Sequence, residues 1–118
     1  IEAVAGMPLA RYLEQRLFAP LAMRDTAFVV PPDQVGRYAK ALPADPLTRQ
    51  PQTLRDGTVP HKFDCGGGCA VSTAADYLRF AQMLLNGGEL DGVRILSRKM
   101  VEFMTADHLG PEVDTARL

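Results

Sequence analysis

Between Asp64 and Phe80 the chain runs Cys65-Gly66-Gly67-Gly68-Cys69-Ala70-Val71-Ser72-Thr73 straight into an apolar segment, so a glycine-rich turn must feed directly into a helix. Ser72 or Thr73 can cap that helix, and Asp76, three residues after Thr73, falls near the positive end of its dipole. Gly87-Gly88 can end it in a left-handed turn. Ala74, Tyr77, Leu78, Phe80, Ala81, Leu84 and Leu85 occupy much of the circumference, leaving Asp76, Arg79, Gln82 and Asn86 as a narrow polar stripe. Burying one Leu or Phe side chain is worth about 1.5–3 kcal/mol, so this pattern predicts a deeply buried helix.

Upstream, Leu9, Tyr12, Leu13 and Leu17 recur at helical spacing, which predicts a helix over Met7 to Phe18 with Pro8 in its first turn and Arg11, Glu14 and Gln15 in water. A short helical piece, Ile1 to Ala5, precedes Gly6. Pro20 interrupts the ladder, and Leu21-Ala22-Met23 forms an apolar plug leading into the turn Arg24-Asp25-Thr26. From Ala27 to Phe63 six prolines divide the chain. Only Phe28 to Val30 and Tyr38 to Leu42 retain a strand pattern, and so long a connection is expected to act as a cover over a larger body. Downstream, Leu90-Asp91-Gly92-Val93 predicts a tight hairpin ending at Ile95-Leu96. Ser97 caps a last helix with an apolar face of Met100, Val101 and Met104 and solvated Arg98, Lys99 and Glu102. Periodicity is lost after Asp107, by Gly110-Pro111. The fold class is therefore mainly α with minor β.

At 118 residues, 47% hydrophobic and 23% charged with a net charge of -1, the chain is a single domain or a piece of one, with no expected nucleic-acid or membrane partner. No apolar run approaches the roughly 20 residues of a membrane-spanning helix. It begins at Ile1 with a helical pattern under way, which suggests that the natural protein continues upstream. Two cysteines make no disulfide framework, and their redox state is open from the sequence. His61 lies four residues before Cys65, but too few ligands accompany it for a zinc site, so no metal is expected. His61 and His108 read as solvated loop residues.

Nucleophile motifs are missing: there is no Gly-x-Ser-x-Gly, Ser-x-x-Lys, Tyr-x-Asn or Lys-Thr-Gly, and neither Ser72 nor Ser97 has Lys three residues later. No residue is assigned a catalytic role. The triple glycine lacks the spacing of a phosphate loop, Val71 standing where a further Gly is needed. Two readings remain for it: positive backbone angles in a tight turn, or bare backbone against which a ligand can lie.

Four segments, Ile1 to Leu9, Pro20 to Phe28, Gly66 to Tyr77 and Leu84 to Gly92, together resemble in order and spacing the serine beta-lactamase-like hydrolases of the class C type. This family includes penicillin-binding peptidases and carboxylesterases. The resemblance covers Ile1 to about Leu109. It implies the helical subdomain of a beta-lactamase/transpeptidase-like α/β fold lacking most of the sheet domain, with residues 1–109 as a partial domain and 110–118 as a poorly determined tail. It also implies that the serine, its lysine, the proton-transferring tyrosine and the Lys/His-x-Gly strand lie outside this chain, and that the parent reaction needs no metal or organic cofactor. Gly66, Gly67 and Gly68 carry over as substrate-cleft lining, for a small-molecule acyl substrate of the parent protein. Self-association through uncovered apolar surface is expected of the chain alone. Cys65 and Cys69 stand where such proteins often have Ser, Gly or another small residue, and Ala22 where Gly is frequent; small apolar packing is the expected role of the cysteines. A competing reading is an autonomous helical protein-binding module, and a third makes the two cysteines a redox or metal site.

Overall fold

The computed structural model describes residues 1–110. Four α-helices, α1 (Glu2–Ala5), α2 (Leu9–Leu13), α3 (Ala74–Leu85) and α4 (Arg98–Thr105), accompany one two-stranded antiparallel hairpin, β1 (Glu89–Leu90) and β2 (Val93–Arg94). The described part is thus mainly helical with a small β element, as the periodicity predicts. The tail beyond Gly110 lies outside the described residues. Among the described residues no helix is long and apolar enough to cross a membrane.

α1 ends on Gly6 in the left-handed conformation (φ 65°). Pro8 precedes α2 and has no side-chain donor group or acceptor to cap it, so two distant carboxylates do so: Leu9 N–H donates to Glu2 Oε1 (2.8 Å) and Ala10 N–H to Asp64 Oδ2 (3.3 Å). The predicted single helix to Phe18 changes pitch at Glu14, where Glu14–Phe18 continues as a π-helical turn, Ala19 N–H donating to Glu14 O (2.9 Å).

The chain then closes in a Schellman motif. Met23 N–H donates back to Phe18 O (2.8 Å) and Ala22 N–H to Ala19 O (3.0 Å). This requires Ala22 at φ 53°, a left-handed angle that costs an L-residue with a Cβ roughly 1–2 kcal/mol. The same motif closes α3, where Gly88 N–H donates to Met83 O and Gly87 N–H to Leu84 O, but with Gly87 in the left-handed place (φ 71°). Ala22→Gly should therefore stabilise the chain. Relief of strain less the greater entropy of glycine in the unfolded chain leaves about 0.5–1 kcal/mol, read as a higher urea midpoint with an unchanged slope.

Between Ala27 and Phe63 no strand forms. Phe28–Val30 and Tyr38–Leu42, predicted as short strands, have no ladder partner. The region holds a 3-10 helix, Pro32–Arg37, and two single bridges, Ala27 to Val71 and Ala44 to Pro51. Proline removes the N–H groups a ladder needs, and each strand-like run is too short to pair without them. The hairpin turns through Asp91 (φ 51°) and Gly92 (φ 78°), both left-handed as a type I′ reversal demands.

Leu9, Phe18, Leu21, Met23, Phe28 and Met83 form the core cluster, with Leu13, Leu17, Cys69, Phe80, Leu84 and Ile95 packed around it. The core lies between the α2 segment and one face of α3. Deep burial of α3 is not observed: Met83 and Asp76 are its only buried residues, and Tyr77, Leu78 and Leu85 are 65%, 64% and 81% exposed. On α4 only Val101 is covered, Met100 and Met104 being exposed. The apolar circumference read from the sequence is real, but this length of chain supplies partners for only part of it.

Candidate cleft edge and its polar clamp

Thr73 is the N-cap of α3, its hydroxyl accepting from Asp76 N–H (3.2 Å). Asp76, on the polar stripe read from the sequence, is buried, and its carboxylate faces the Leu21–Thr26 segment. One oxygen, Oδ2, accepts from Asp25 N–H (2.7 Å) and from the Thr26 hydroxyl (2.9 Å). Because Thr26 has a single hydroxyl proton and gives it to Asp76, the Ser72 hydroxyl 2.8 Å away must donate to Thr26. Arg79, the next polar residue on the helix, points the same way, its Nε donating to Leu21 O, while its guanidinium reaches Asp91 of the hairpin.

This side of α3 is therefore a clamp joining the Leu21–Thr26 plug to the helix start. The Ala27–Val71 bridge, with bonds of 3.0 and 2.8 Å, extends it by one step. At its outer rim Arg37 donates two parallel bonds of 2.9 Å to the Asp25 carboxylate, and these hydrogen bonds hold that carboxyl below its ordinary value. Thr26 is buried and spends its proton on the Asp76 carboxylate, and Ser72 spends its own on Thr26, so the two hydroxyls act here as fasteners of the clamp.

Gly66, Gly67 and Gly68 form one exposed turn just before this clamp. None has a positive φ, so the left-handed-angle reading does not apply to them. A Cβ on Gly66 would stand 3.8 Å from Leu9 Cδ2, ordinary contact, and on Gly67 or Gly68 would meet nothing within 4 Å. The turn is spanned by a disulfide between Cys65 and Cys69, whose Cα atoms are 5.4 Å apart. The cysteines are thus not merely small packing residues, although Cys69 does pack on the core. Arg55 Nη1 donates to Cys69 O (2.6 Å) from the loop beneath, and its Nη2 is buried without a partner.

Below the turn opens a recess of about 360 Å³, walled by Leu13, Leu17, Met23, Phe28, Tyr77 and Phe80 and rimmed by Cys65, Gly66, Gly68 and Cys69. Its walls are almost wholly apolar, and it holds no titratable pair suited to acid–base work. Among the described residues no group of three or more His, Cys, Asp or Glu side chains could hold a metal ion, and the paired sulfurs offer no thiolates. His61 Nε2 lies 3.1 Å from Asp56 O and His108 against Phe103; both are exposed. The buried clamp was the feature least visible in the sequence: capping logic places Asp76 at the helix start, but nothing local signals Thr26 as its partner, fifty residues away.

A beta-lactamase family model matches residues 1–117, and the chain belongs to that serine beta-lactamase-like family. Over 114 residues it is 36% identical to the uncharacterized protein MT1414 of Mycobacterium tuberculosis (strain CDC 1551 / Oshkosh) and to the protein Rv1367c of Mycobacterium tuberculosis (strain ATCC 25618 / H37Rv). The match takes in 95% of this chain and 28% of each relative, so the chain spans little more than a quarter of their length.

Proposed function

We propose that residues 1–109 are most of the helical subdomain of a serine hydrolase, and that Gly66, Gly67 and Gly68 edge its substrate cleft. The observation carrying this reading is the bare glycine turn over an open apolar recess. The three glycines satisfy no demand for left-handed angles or tight internal packing, whereas a side-chain-free edge suits a ligand or a neighbouring segment lying against the backbone. The exposed row Tyr77, Leu78 and Leu85 supports it too, as a face for the missing sheet domain.

In the whole protein the reaction is acyl transfer on an ester or amide: a serine attacks the carbonyl, lysine and tyrosine move the proton, backbone amides hold the oxyanion, and water frees the acyl group. This chain supplies wall and scaffold. Its sequence holds no Ser-x-x-Lys, and it should not hydrolyse a chromogenic beta-lactam or a p-nitrophenyl ester above the buffer rate. A protein-dependent rate that persists through rigorous purification contradicts that. Sequencing the coding region on either side should reveal Ser-x-x-Lys upstream of Ile1, and a flanking region without it sinks the subdomain assignment.

A further inference from the structure

We infer that Cys65 and Cys69 form a reversible redox latch that fixes or frees the triple-glycine turn. Three observations meet here. The two residues are brought to 5.4 Å between Cα atoms across a single turn and are joined. The three residues between them have no side chains, and a Cβ on Gly67 or Gly68 would meet nothing within 4 Å, so no packing on that side holds them. The turn's ends are fastened to different parts of the molecule, Asp64 to the start of α2 through Ala10 N–H, and Cys69 to Arg55 through its carbonyl and to the core through its side chain. Closing the disulfide ties these two anchors together; opening it leaves a three-glycine hinge between them.

Both cysteines are only partly buried, and both line the open recess. Accessible disulfides exchange readily, whereas structural ones resist reduction by the glutathione pool. Reduction proceeds by thiolate attack on one sulfur: the Cys65–Cys69 bond breaks, a mixed disulfide forms, and a second small thiol displaces the protein sulfur. Two electrons and two protons end on the cysteines, and the small thiols leave as one disulfide. Oxidation by a small-molecule disulfide is the reverse. That the latch adjusts a cleft edge rests on the proposed function; the latch itself does not.

The whole chain, equilibrated in glutathione buffers from fully reduced to fully oxidised and then alkylated under denaturing conditions, should pass from two modified thiols to none. Backbone order parameters should change with it: Gly67 above about 0.8 when oxidised and below about 0.6 when reduced, with α3 unchanged. Cys65→Ser should show the low value in every buffer. Thiols that never close, a disulfide that excess reduced glutathione cannot open in the folded chain, or a Gly67 order parameter indifferent to redox state would each overturn the latch. Hydrolysis plays no part in these readouts, so the latch can fail while the subdomain assignment stands, and the reverse.

Discussion

Asp76→Ala should cost about 3–4 kcal/mol of folding stability, enough to leave the isolated chain without a cooperative unfolding transition. Asp76 is 7% exposed, and its carboxylate accepts two hydrogen bonds from a segment about fifty residues away while sitting in the first turn of α3. Each hydrogen bond to a charged group contributes about 1.5–3 kcal/mol, and the favourable placement against the helix dipole a further 0.3–1 kcal/mol. Removing the acceptor also strands Asp25 N–H and the Thr26 hydroxyl, and Thr26 can only partly recover by turning to Ser72. Small domains rarely hold more than roughly 5–15 kcal/mol in total, and one with so much uncovered apolar surface sits near the low end. Asp76→Asn keeps an oxygen that can accept both bonds and loses only the charge, so it should cost about 1 kcal/mol and remain foldable. With no tryptophan in the chain, circular dichroism against urea is the natural measurement. An alanine variant within about 0.5 kcal/mol of the parent would mean that the clamp does not hold the plug to the helix.

What the sequence discloses and what it conceals divide along a physical line. Caps, helix ends and the hairpin were legible because their causes are local: Thr73 and Ser97 bond N–H groups three residues on, and Asp91-Gly92 adopts the angles its residue types favour. The glycine turn was visible as a turn, but not its closure by Cys65 and Cys69, since spacing alone does not decide between thiols and a bond. Deep burial, expected of α3, is absent because periodicity reports which face wants cover, not whether the chain provides it. Asp76 and Arg79 were legible only as members of a narrow polar stripe, without their partners. A polar residue on an apolar helix defaults to the solvated side unless a partner is known, and here the partners, Thr26 and the Leu21 carbonyl, come from a plug more than forty residues upstream.

The oddity at Ala22 links these levels. The Schellman closure that it completes aims Leu21 and Met23 into the core and leaves the Leu21 carbonyl for Arg79. A strained residue is tolerated there because both neighbours are held by burial, and the clamp reaches the same three-residue plug from the other side. Plug, clamp and α3 are one mechanical unit, and the glycine turn hangs from its edge.

Leu21→Ala should destabilise this unit by about 3 kcal/mol, the second large effect. Leu21 is 0% exposed and packs in the middle of the cluster, where a truncated leucine loses its transfer energy and leaves a cavity; such changes cost about 2–5 kcal/mol. The half-exposed rim of the cluster allows some collapse, which argues for the middle of that range. Leu21→Met, nearly conserving volume, should cost under about 1.5 kcal/mol and report on the site in a chain that still folds. Leu85→Ala is the contrast, because a leucine 81% exposed should change stability by no more than about 0.5 kcal/mol in dilute solution. At high concentration the two should separate further: removing Leu85 trims an exposed apolar face and should reduce self-association measured by light scattering, while removing Leu21 should increase it by loosening the core. If Leu85→Ala proved as damaging as Leu21→Ala in dilute solution, α3 would be covered on the side now described as open, and the face proposed for the sheet domain would already be occupied by the chain itself.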